Sequence, residues 1–204
     1  MTTTLNQRTY TVDEYLAQET QSEERHEYRN GEIVLMTGGT PNHNKIAGNL
    51  FAFLNFALKR QPYDVFVTDQ RLWIPAQQVY TYPDVMVVRQ PLALQAGRND
   101  TLENPLFIAE VLSQSTRSYD KDRKFAAYRT IASFSEYLLI DQYAPHVEHY
   151  TQTESQETWL FREYDGLDAT VSLQAFEFSI QLADLYDKVD FSAEETEAID
   201  PGES

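Results

Sequence analysis

Two carboxylates interrupt apolar runs of the sequence. An acid in such a run is expected to be buried, so its charge needs a compensating partner. Asp84 follows Pro83 inside "VYTYPDVMVV", and Glu110 lies in the middle of "PLFIAEVLS". Burying an ionised carboxylate costs free energy unless a cation, hydrogen bonds or a raised pKa compensates. A divalent cation shared by both acids would remove this cost, and Mg²⁺ prefers such oxygen ligands. The alternative is that each acid binds a loop amide or pairs with an arginine.

A basic segment, "RSYDKDRKFAAYR", follows the second acid. This segment is the one plausible surface for a nucleic-acid backbone. Its interleaved Asp120 and Asp122 favour the alternative of a solvated helix face. Its basic residues are Arg117, Lys121, Arg123, Lys124 and Arg129.

Composition excludes several classes of protein. The 204 residues carry a formal net charge of −16, which argues against broad electrostatic binding of nucleic acid. There is no cysteine, so disulfides and thiolate metal sites are excluded. No apolar run approaches the roughly 20 residues that span a bilayer, and the first residues do not resemble a secretory signal. We therefore expect a cytoplasmic protein without a membrane segment.

The length fits one compact domain, which we expect to cover residues 1–188. Acids dominate the remaining segment, and we expect residues 189–204 to form a disordered tail.

Local patterns predict the elements that precede the first acid. Thr11 and Glu14 have the spacing of a capping box at the start of a short helix. Asn30 and Gly31 suit a tight hairpin turn, because both central positions need positive φ. A long amphipathic helix is predicted from Pro41 to about Arg60. Its apolar face would contain Ile46, Leu50, Phe53, Leu54 and Ala57.

The rest of the chain predicts strands around a second long helix. "DVFVTDQRLWIP" and "VYTYPDVMVV" suggest two paired strands, and "PLFIAEVLS" a third. The helix would lie in "STRSYDKDRKFAAYRTIASF", and shorter strands in "SEYLLIDQ", "HVEHYTQ", "TWLFREY" and "ATVSLQ". The expected fold class is α/β, of the mixed α+β kind. It has a central mixed sheet, a long helix on each side and an N-terminal β-hairpin.

Several motifs in order resemble the Uma-two family of restriction endonucleases. They are "NGEIVLM", "PNHNKIAGNL", "YPDVMVV", "IAEVLSQST" and "YDKDRKFAAY", and the resemblance covers roughly residues 10–188. The family belongs to the PD-(D/E)XK nuclease superfamily. The resemblance therefore implies a restriction-endonuclease-like core and a metal-dependent endonuclease that hydrolyses DNA phosphodiester bonds.

The resemblance also assigns roles to the chemical residues. Asp84 would be the PD aspartate and Glu110 the second acid, and both would bind Mg²⁺ or Mn²⁺. Most of the superfamily has a lysine two residues after the second acid, where this chain has Leu112. The family pattern places a lysine on the next helix instead, which Lys124 matches, with Lys121 as the fallback.

Three weaker candidates come from the same motifs. His43 matches a position where the family commonly has histidine, and it would contact a phosphate or assist proton transfer. Glu32 matches an acid of the hairpin motif, and Glu27 is a similar but weaker candidate. The alternative for His43 is a hydrogen-bonded surface residue. The alternative for Glu32 and Glu27 is an exposed charge that flanks the turn.

Other functions remain open from the sequence alone. The missing lysine and the net charge of −16 favour a catalytically silent binding or regulatory module as the main alternative. A hydrolase of RNA or of a phosphate-containing small molecule would use the same metal site. Superfamily members often act as dimers, because two active sites are needed to cut two strands. We therefore expect a homodimer.

Overall fold

The computed structural model describes residues 8–114 and 116–192, and it contains two main β-sheets. The helices are α1 (Val12–Gln21), α2 (Pro41–Ala57), α3 (Arg117–Tyr119), α4 (Phe125–Tyr128) and α5 (Leu182–Leu185), with a π-helical turn at Asp120–Lys124 between α3 and α4. The strands are β1 (His26–Arg29), β2 (Glu32–Leu35), β3 (Tyr63–Val67), β4 (Arg71–Ile74), β5 (Val79–Thr81), β6 (Val85–Arg89), β7 (Thr101–Leu102), β8 (Pro105–Leu112), β9 (Glu136–Asp141), β10 (His146–Gln152), β11 (Trp159–Asp165), β12 (Thr170–Leu173) and β13 (Phe178–Gln181).

The larger sheet is the mixed sheet that the sequence predicts. Its strand order in the described part of the chain is β11-β10-β9-β8-β6-β3, with β8 and β9 parallel and the other pairs antiparallel. The second sheet has the order β2-β1-β5-β4-β7, and β12 pairs with β13. The expected α/β class and the mixed sheet flanked by helices are confirmed.

Helix α2 packs on one face of the larger sheet and is fixed at its start. Thr40 caps it by accepting a hydrogen bond from the backbone N–H of His43. The predicted apolar stripe is confirmed for the buried Ile46, Leu50 and Leu54. It is wrong for Phe53, whose exposed fraction is 42%, and for Ala57, which is also exposed.

The N-terminal elements follow their local signals. Thr11 and Glu14 form the predicted capping box of α1. Asn30 and Gly31 have φ of 48° and 99°, and they join β1 to β2 as the predicted hairpin. Gly31 has no space for a β-carbon, because Thr9 would lie 2.5 Å from it.

The two long strand-like runs before Glu110 do not form one pair of strands, and this prediction is wrong. Each run divides between the two sheets: β4 pairs with β5 in one sheet, and β3 pairs with β6 in the other. One break follows Thr68, which has φ of 50°, and the other follows Pro83, which has no N–H for a ladder. Asp84 consequently stands at the start of β6, where the chain passes from one sheet to the other.

The predicted second long helix is shorter than expected. The helical conformation runs through α3, the π-helical turn and α4, and it ends at Tyr128. The hydroxyl of Thr130 donates a hydrogen bond to the Ala127 carbonyl, which satisfies one of the last helical acceptors. Phe125 and Tyr128 pack on the second face of the larger sheet, together with residues of β4, β5 and β7. One long helix and one short helical segment therefore replace the expected pair of long helices.

The C-terminal boundary stays a prediction. Most of the expected tail, residues 193–204, lies outside the described residues. Before it, the amide of Asn42 donates a hydrogen bond to the Asp190 carbonyl at 2.7 Å, and Phe191 packs against Tyr186.

Candidate active site

The two predicted acids lie at the same end of neighbouring strands. Strands β6 and β8 pair with Val85 opposite Ala109, which places Asp84 next to Glu110 in the register. Oδ2 of Asp84 accepts a hydrogen bond from the Val111 N–H at 2.8 Å. The pairing of β6 with β8 in the buried sheet therefore positions both acids.

Glu110 is almost completely buried, and only part of its charge is compensated. Its Oε1 accepts hydrogen bonds from Nζ of Lys124 at 3.1 Å and from the Tyr128 hydroxyl at 2.6 Å. Burial raises the pKa of Glu110 to about 8, because it outweighs the lowering effect of Lys124, and the nearby Asp84 and Asp120 add to the rise. A raised carboxyl pKa beside a second acid is typical of a functional site.

Lys124 enters the cluster from the π-helical turn. Its Nζ lies 3.4 Å from Oε1 of Glu27 and 3.2 Å from Oδ1 of Asp120, in addition to its contact with Glu110. Burial alone would lower the pKa of Lys124, but the surrounding acids raise it well above its usual value. Lys124 is therefore an ammonium ion at neutral pH. Isolated π-helical turns are rare and occur frequently at functional sites.

Glu27 closes the cluster from the second sheet. Thr81 donates a hydrogen bond to its Oε1, and Arg29 donates two to its Oε2 at 2.9 and 2.6 Å. Burial would raise the pKa of Glu27, but Lys124 and Arg29 outweigh it and hold this pKa below its usual value. The Arg29 guanidinium in turn lies 3.6 Å from the ring centre of Tyr119.

His43 reaches Asp84 from the start of α2. Its Nε2 lies 3.1 Å from Oδ2 of Asp84. Burial would lower the pKa of His43, but the hydrogen bond and the charge of Asp84 raise it above its usual value. The start of α2 is tied to the strand ends by Gln142, which accepts from the Thr40 hydroxyl and donates to the Leu112 carbonyl. The imidazole is therefore placed against Asp84 by the fold.

Gly39 leaves the space that this imidazole needs. A β-carbon at Gly39 would lie 2.7 Å from Nδ1 of His43, whereas one at Gly38 would meet nothing within 4 Å. We expect Gly39→Ala to displace the ring from Asp84 and to lower the pKa of His43, as measured by NMR titration. Gly38→Ala is the matched control and should leave this pKa unchanged. An unchanged His43 pKa in Gly39→Ala would contradict the assigned contact.

The oxygen atoms of the two acids fit a divalent cation. Oδ2 of Asp84 and Oε1 of Glu110 are engaged by protein donors. Within residues 8–114 and 116–192, Oδ1 of Asp84 and Oε2 of Glu110 accept no hydrogen bond. Carboxylate oxygens with a free coordination position are the ligands that Mg²⁺ and Mn²⁺ prefer. In each acid, one oxygen therefore contacts protein donors, and the other is available to a ligand.

The structure does not bring all of the sequence candidates together. It places His43, Asp84, Glu110, Lys124 and Glu27 in one cluster. Lys121 points elsewhere and pairs with Glu148 of β10. Glu32 is exposed on β2, opposite Arg29.

Two buried members of the cluster were not predicted. Asp120 is predicted to lie on a solvated helix face, and Tyr128 has no predicted role. The four-residue spacing between Asp120 and Lys124 was a usable signal for their ion pair. No sequence signal marks the hydrogen bond from Tyr128 to Glu110.

A separate set of ligand-type residues lies on β10 and β11. His146, Glu148 and Glu163 have ligand atoms within 4.8 Å of one another. Glu148 already pairs with Lys121, and Nδ1 of His146 lies 2.7 Å from Asp165. This set belongs to different strands from Asp84 and Glu110, and it is not the predicted metal site.

The mixed sheet, the two acids at adjacent strand ends and the lysine on the following helical segment define a nuclease-like fold. A crystal structure described as "a putative nuclease belonging to DUF820", from Anabaena variabilis, matches with a TM-score of 0.71 and 20% identity. The match covers 87% of this chain and 97% of that one, and at this identity it shows the shared fold.

Sequence comparison identifies the family. The Uma2 model, described as "Putative restriction endonuclease", matches residues 12–184. "Uncharacterized protein sll1609" of Synechocystis sp. is 41% identical over 161 residues, which are 79% of this chain and 90% of that protein. "Uncharacterized protein slr1290" of the same organism is 31% identical over 156 residues, 76% and 80% of the two chains. The chain belongs to the Uma2 family, which confirms the family predicted from its motifs.

The described helices give no sign of a membrane segment. None of those in residues 8–114 and 116–192 has the length and hydropathy needed to cross a bilayer.

Proposed function

We propose that this protein is a metal-dependent endonuclease that hydrolyses DNA phosphodiester bonds. Asp84 and Glu110 would hold Mg²⁺ or Mn²⁺, and Lys124 would be the electrostatic helper. The observation that carries the proposal is the convergence of these three side chains from separate segments, with one oxygen on each acid that accepts no hydrogen bond from the described residues. The family description supports a nuclease, and DNA is the substrate that restriction endonucleases cut.

The chain's own groups supply defined parts of the reaction. A bound divalent cation would polarise the scissile phosphate and lower the pKa of a coordinated water. Lys124 holds a fixed positive charge beside Glu110, where it can stabilise the charge that develops on the phosphate. His43 and the Val111 N–H hold Asp84 in place, and Tyr128 holds Glu110. The protein thus contributes a preorganised set of ligands and one cation.

The proposal includes how the protein would cut both strands of a DNA duplex. A single site cuts one strand, so a homodimer would present two sites to the two strands of a duplex. RNA and phosphate-containing small molecules would reach the same acids, and they are the alternatives that the assay must include.

The direct test is hydrolysis by the purified protein with Mg²⁺ or Mn²⁺. Supercoiled DNA, single-stranded DNA and RNA are offered in parallel. We expect DNA cutting that Asp84→Asn reduces by about 100-fold or more, because the variant loses a charged ligand. Asp64→Asn is the matched control, since Asp64 of β3 contacts Gln90 away from the cluster, and it should cut like the wild type.

Three outcomes would contradict the proposal. Cutting that survives unchanged in Asp84→Asn would indicate a contaminating nuclease. Cutting of RNA alone would exclude the DNA substrate. The absence of any metal-dependent hydrolysis by the wild type would favour the catalytically silent module.

A further inference from the structure

The ammonium of Lys124 already occupies a cation position. Its Nζ lies 3.1, 3.4 and 3.2 Å from oxygens of Glu110, Glu27 and Asp120. These acids come from β8, β1 and the π-helical turn, and the lysine side chain is only 10% exposed. Nζ donates a hydrogen bond to Glu110, and the charges of Glu27 and Asp120 hold it from two other sides. The arrangement is that of a bound cation inside an oxygen cage.

The cage is held largely by groups other than Lys124. Glu27 is fixed by Thr81 and Arg29, and Glu110 by Tyr128. The Tyr137 hydroxyl donates a hydrogen bond to the backbone carbonyl of Asp120 at 3.2 Å. Oδ1 of Asp120 is buried and depends on the charge of Lys124, since no hydrogen bond of good geometry reaches it from residues 8–114 or 116–192. Removing the ammonium would therefore leave a preformed, negatively charged cage.

We propose that Lys124 is a resident counter-ion that competes with the divalent cation for the carboxyl oxygens of Glu110, and so sets the metal affinity of the site. The inference rests on the proposed function, because it takes Asp84 and Glu110 as the metal ligands. Glu110 is shared, since one of its oxygens contacts Lys124 and the other accepts no hydrogen bond from the part of the chain that the structure describes. Two cations at one carboxylate repel each other, so each weakens the binding of the other by the same factor.

The competition predicts an unusual combination of effects. Lys124→Met keeps the length of the side chain and removes its charge. It should bind Mn²⁺ more tightly than the wild type, by at least about tenfold, because the repulsion is gone and the acids are uncompensated. The same variant should hydrolyse DNA more slowly at saturating Mn²⁺. A lysine with a purely structural role would not increase the metal affinity when it is lost.

Lys121→Met is the matched control. Lys121 lies on the same π-helical turn and carries the same charge, but it pairs with Glu148 outside the cage. Mn²⁺ bound at the set of His146, Glu148 and Glu163 is recognised because it would persist when Asp84→Asn is added to Lys121→Met. A general effect of the more negative net charge would increase Mn²⁺ affinity equally in both variants. Competition within the cage would increase it in Lys124→Met alone.

The experiment is calorimetric titration of Mn²⁺ into the full chain, with wild type, Asp84→Asn, Lys124→Met and Lys121→Met. If Asp84→Asn binds Mn²⁺ as the wild type does, the metal site of the proposed function is wrong. If Asp84→Asn loses binding but Lys124→Met binds no more tightly than Lys121→Met, only the competition is wrong. Circular dichroism confirms that each variant is folded.

A second variant keeps the inference testable if Lys124→Met does not fold. Asp120→Asn removes one acid of the cage without touching Asp84 or Glu110. The charge of Lys124 is then less compensated, and Mn²⁺ should bind several-fold more weakly. Asp122→Asn is its control, because Asp122 is exposed on the same turn. Equal Mn²⁺ affinities for these two variants would overturn the competition.

Discussion

Glu110→Gln is expected to be more stable than the wild type above about pH 8 in the absence of divalent cations, and inactive as a nuclease. The folded protein holds this carboxyl with a pKa of about 8, whereas its ordinary value is 4.5. Between these two values the unfolded chain has released the proton and the folded chain has kept it. The ionised form is therefore disfavoured by folding.

The sign of the pH dependence follows from this difference in bound protons. Below about pH 4.5 both states hold the proton, and Glu110 makes no contribution to the slope. From there to about pH 8 the folded state binds more protons, so the free energy of unfolding falls by about 1 kcal/mol for each pH unit. Above about pH 8 the free energy of unfolding has lost this whole contribution. Glutamine is uncharged at every pH and lacks this loss.

The measurement is urea unfolding of wild type and Glu110→Gln at several pH values with a chelator present. Glu177→Gln is the control, because Glu177 is exposed. The stability of Glu110→Gln relative to the wild type should rise with pH, and that of Glu177→Gln should not. If the difference in the free energy of unfolding between Glu110→Gln and the wild type stays constant from about pH 5 to 9, the assigned environment of Glu110 is wrong. A stable but inactive variant is what we expect where an acid is kept for chemistry rather than for folding.

The sequence was sufficient to find the two acids, because a carboxylate in an apolar run is visible without coordinates. Asp84 and Glu110 were identified in this way, and the family motif pointed to Lys124. The structure brings these three together. The roles assigned to them remain proposals that the hydrolysis and titration experiments test.

The sequence offers Glu27 only as a weaker candidate, and it offers no more than the four-residue spacing to Lys124 for Asp120, because most contacts of the cluster join distant segments. Glu27 lies in a four-residue strand, "HEYR", whose short pattern does not show which face is buried. Asp120 belongs to a basic segment that looks solvated, and the π-helical turn that buries it has no sequence signature.

The fold was predictable where the signal is local. The capping box of Thr11 and the Asn30-Gly31 turn are short-range patterns, and both are confirmed. The division of each long strand-like run between two sheets is a tertiary effect. It depends on a positive φ at Thr68, a residue type for which that conformation is uncommon. The proline before Asp84 is the visible part of the signal, but the apolar run around it predicts one continuous strand.

A third buried acid shows what an entirely structural carboxylate looks like in the same sheet. Glu136 of β9 has no exposed surface, and protein donors occupy both of its oxygens. The Gln174 and Ala175 backbone N–H groups donate to it at 2.8 to 3.1 Å, and Nε2 of His149 lies 2.7 Å from its Oε1. This acid anchors the turn between β12 and β13 to the sheet. It leaves no oxygen for a metal, in contrast to Asp84 and Glu110.

Glu136→Ala is accordingly expected to lower the free energy of unfolding by about 3–5 kcal/mol, because it leaves buried donors without an acceptor. That is a large part of the 5–15 kcal/mol typical of a domain. Urea unfolding measures the loss, and Glu157→Ala in the exposed turn after β10 is the control. Mn²⁺ should stabilise Glu136→Ala as much as it stabilises the wild type, because the metal ligands are intact. A loss below about 1 kcal/mol would contradict the anchoring role. A loss of Mn²⁺ binding would mean that the two kinds of buried acid are not separable in this sheet.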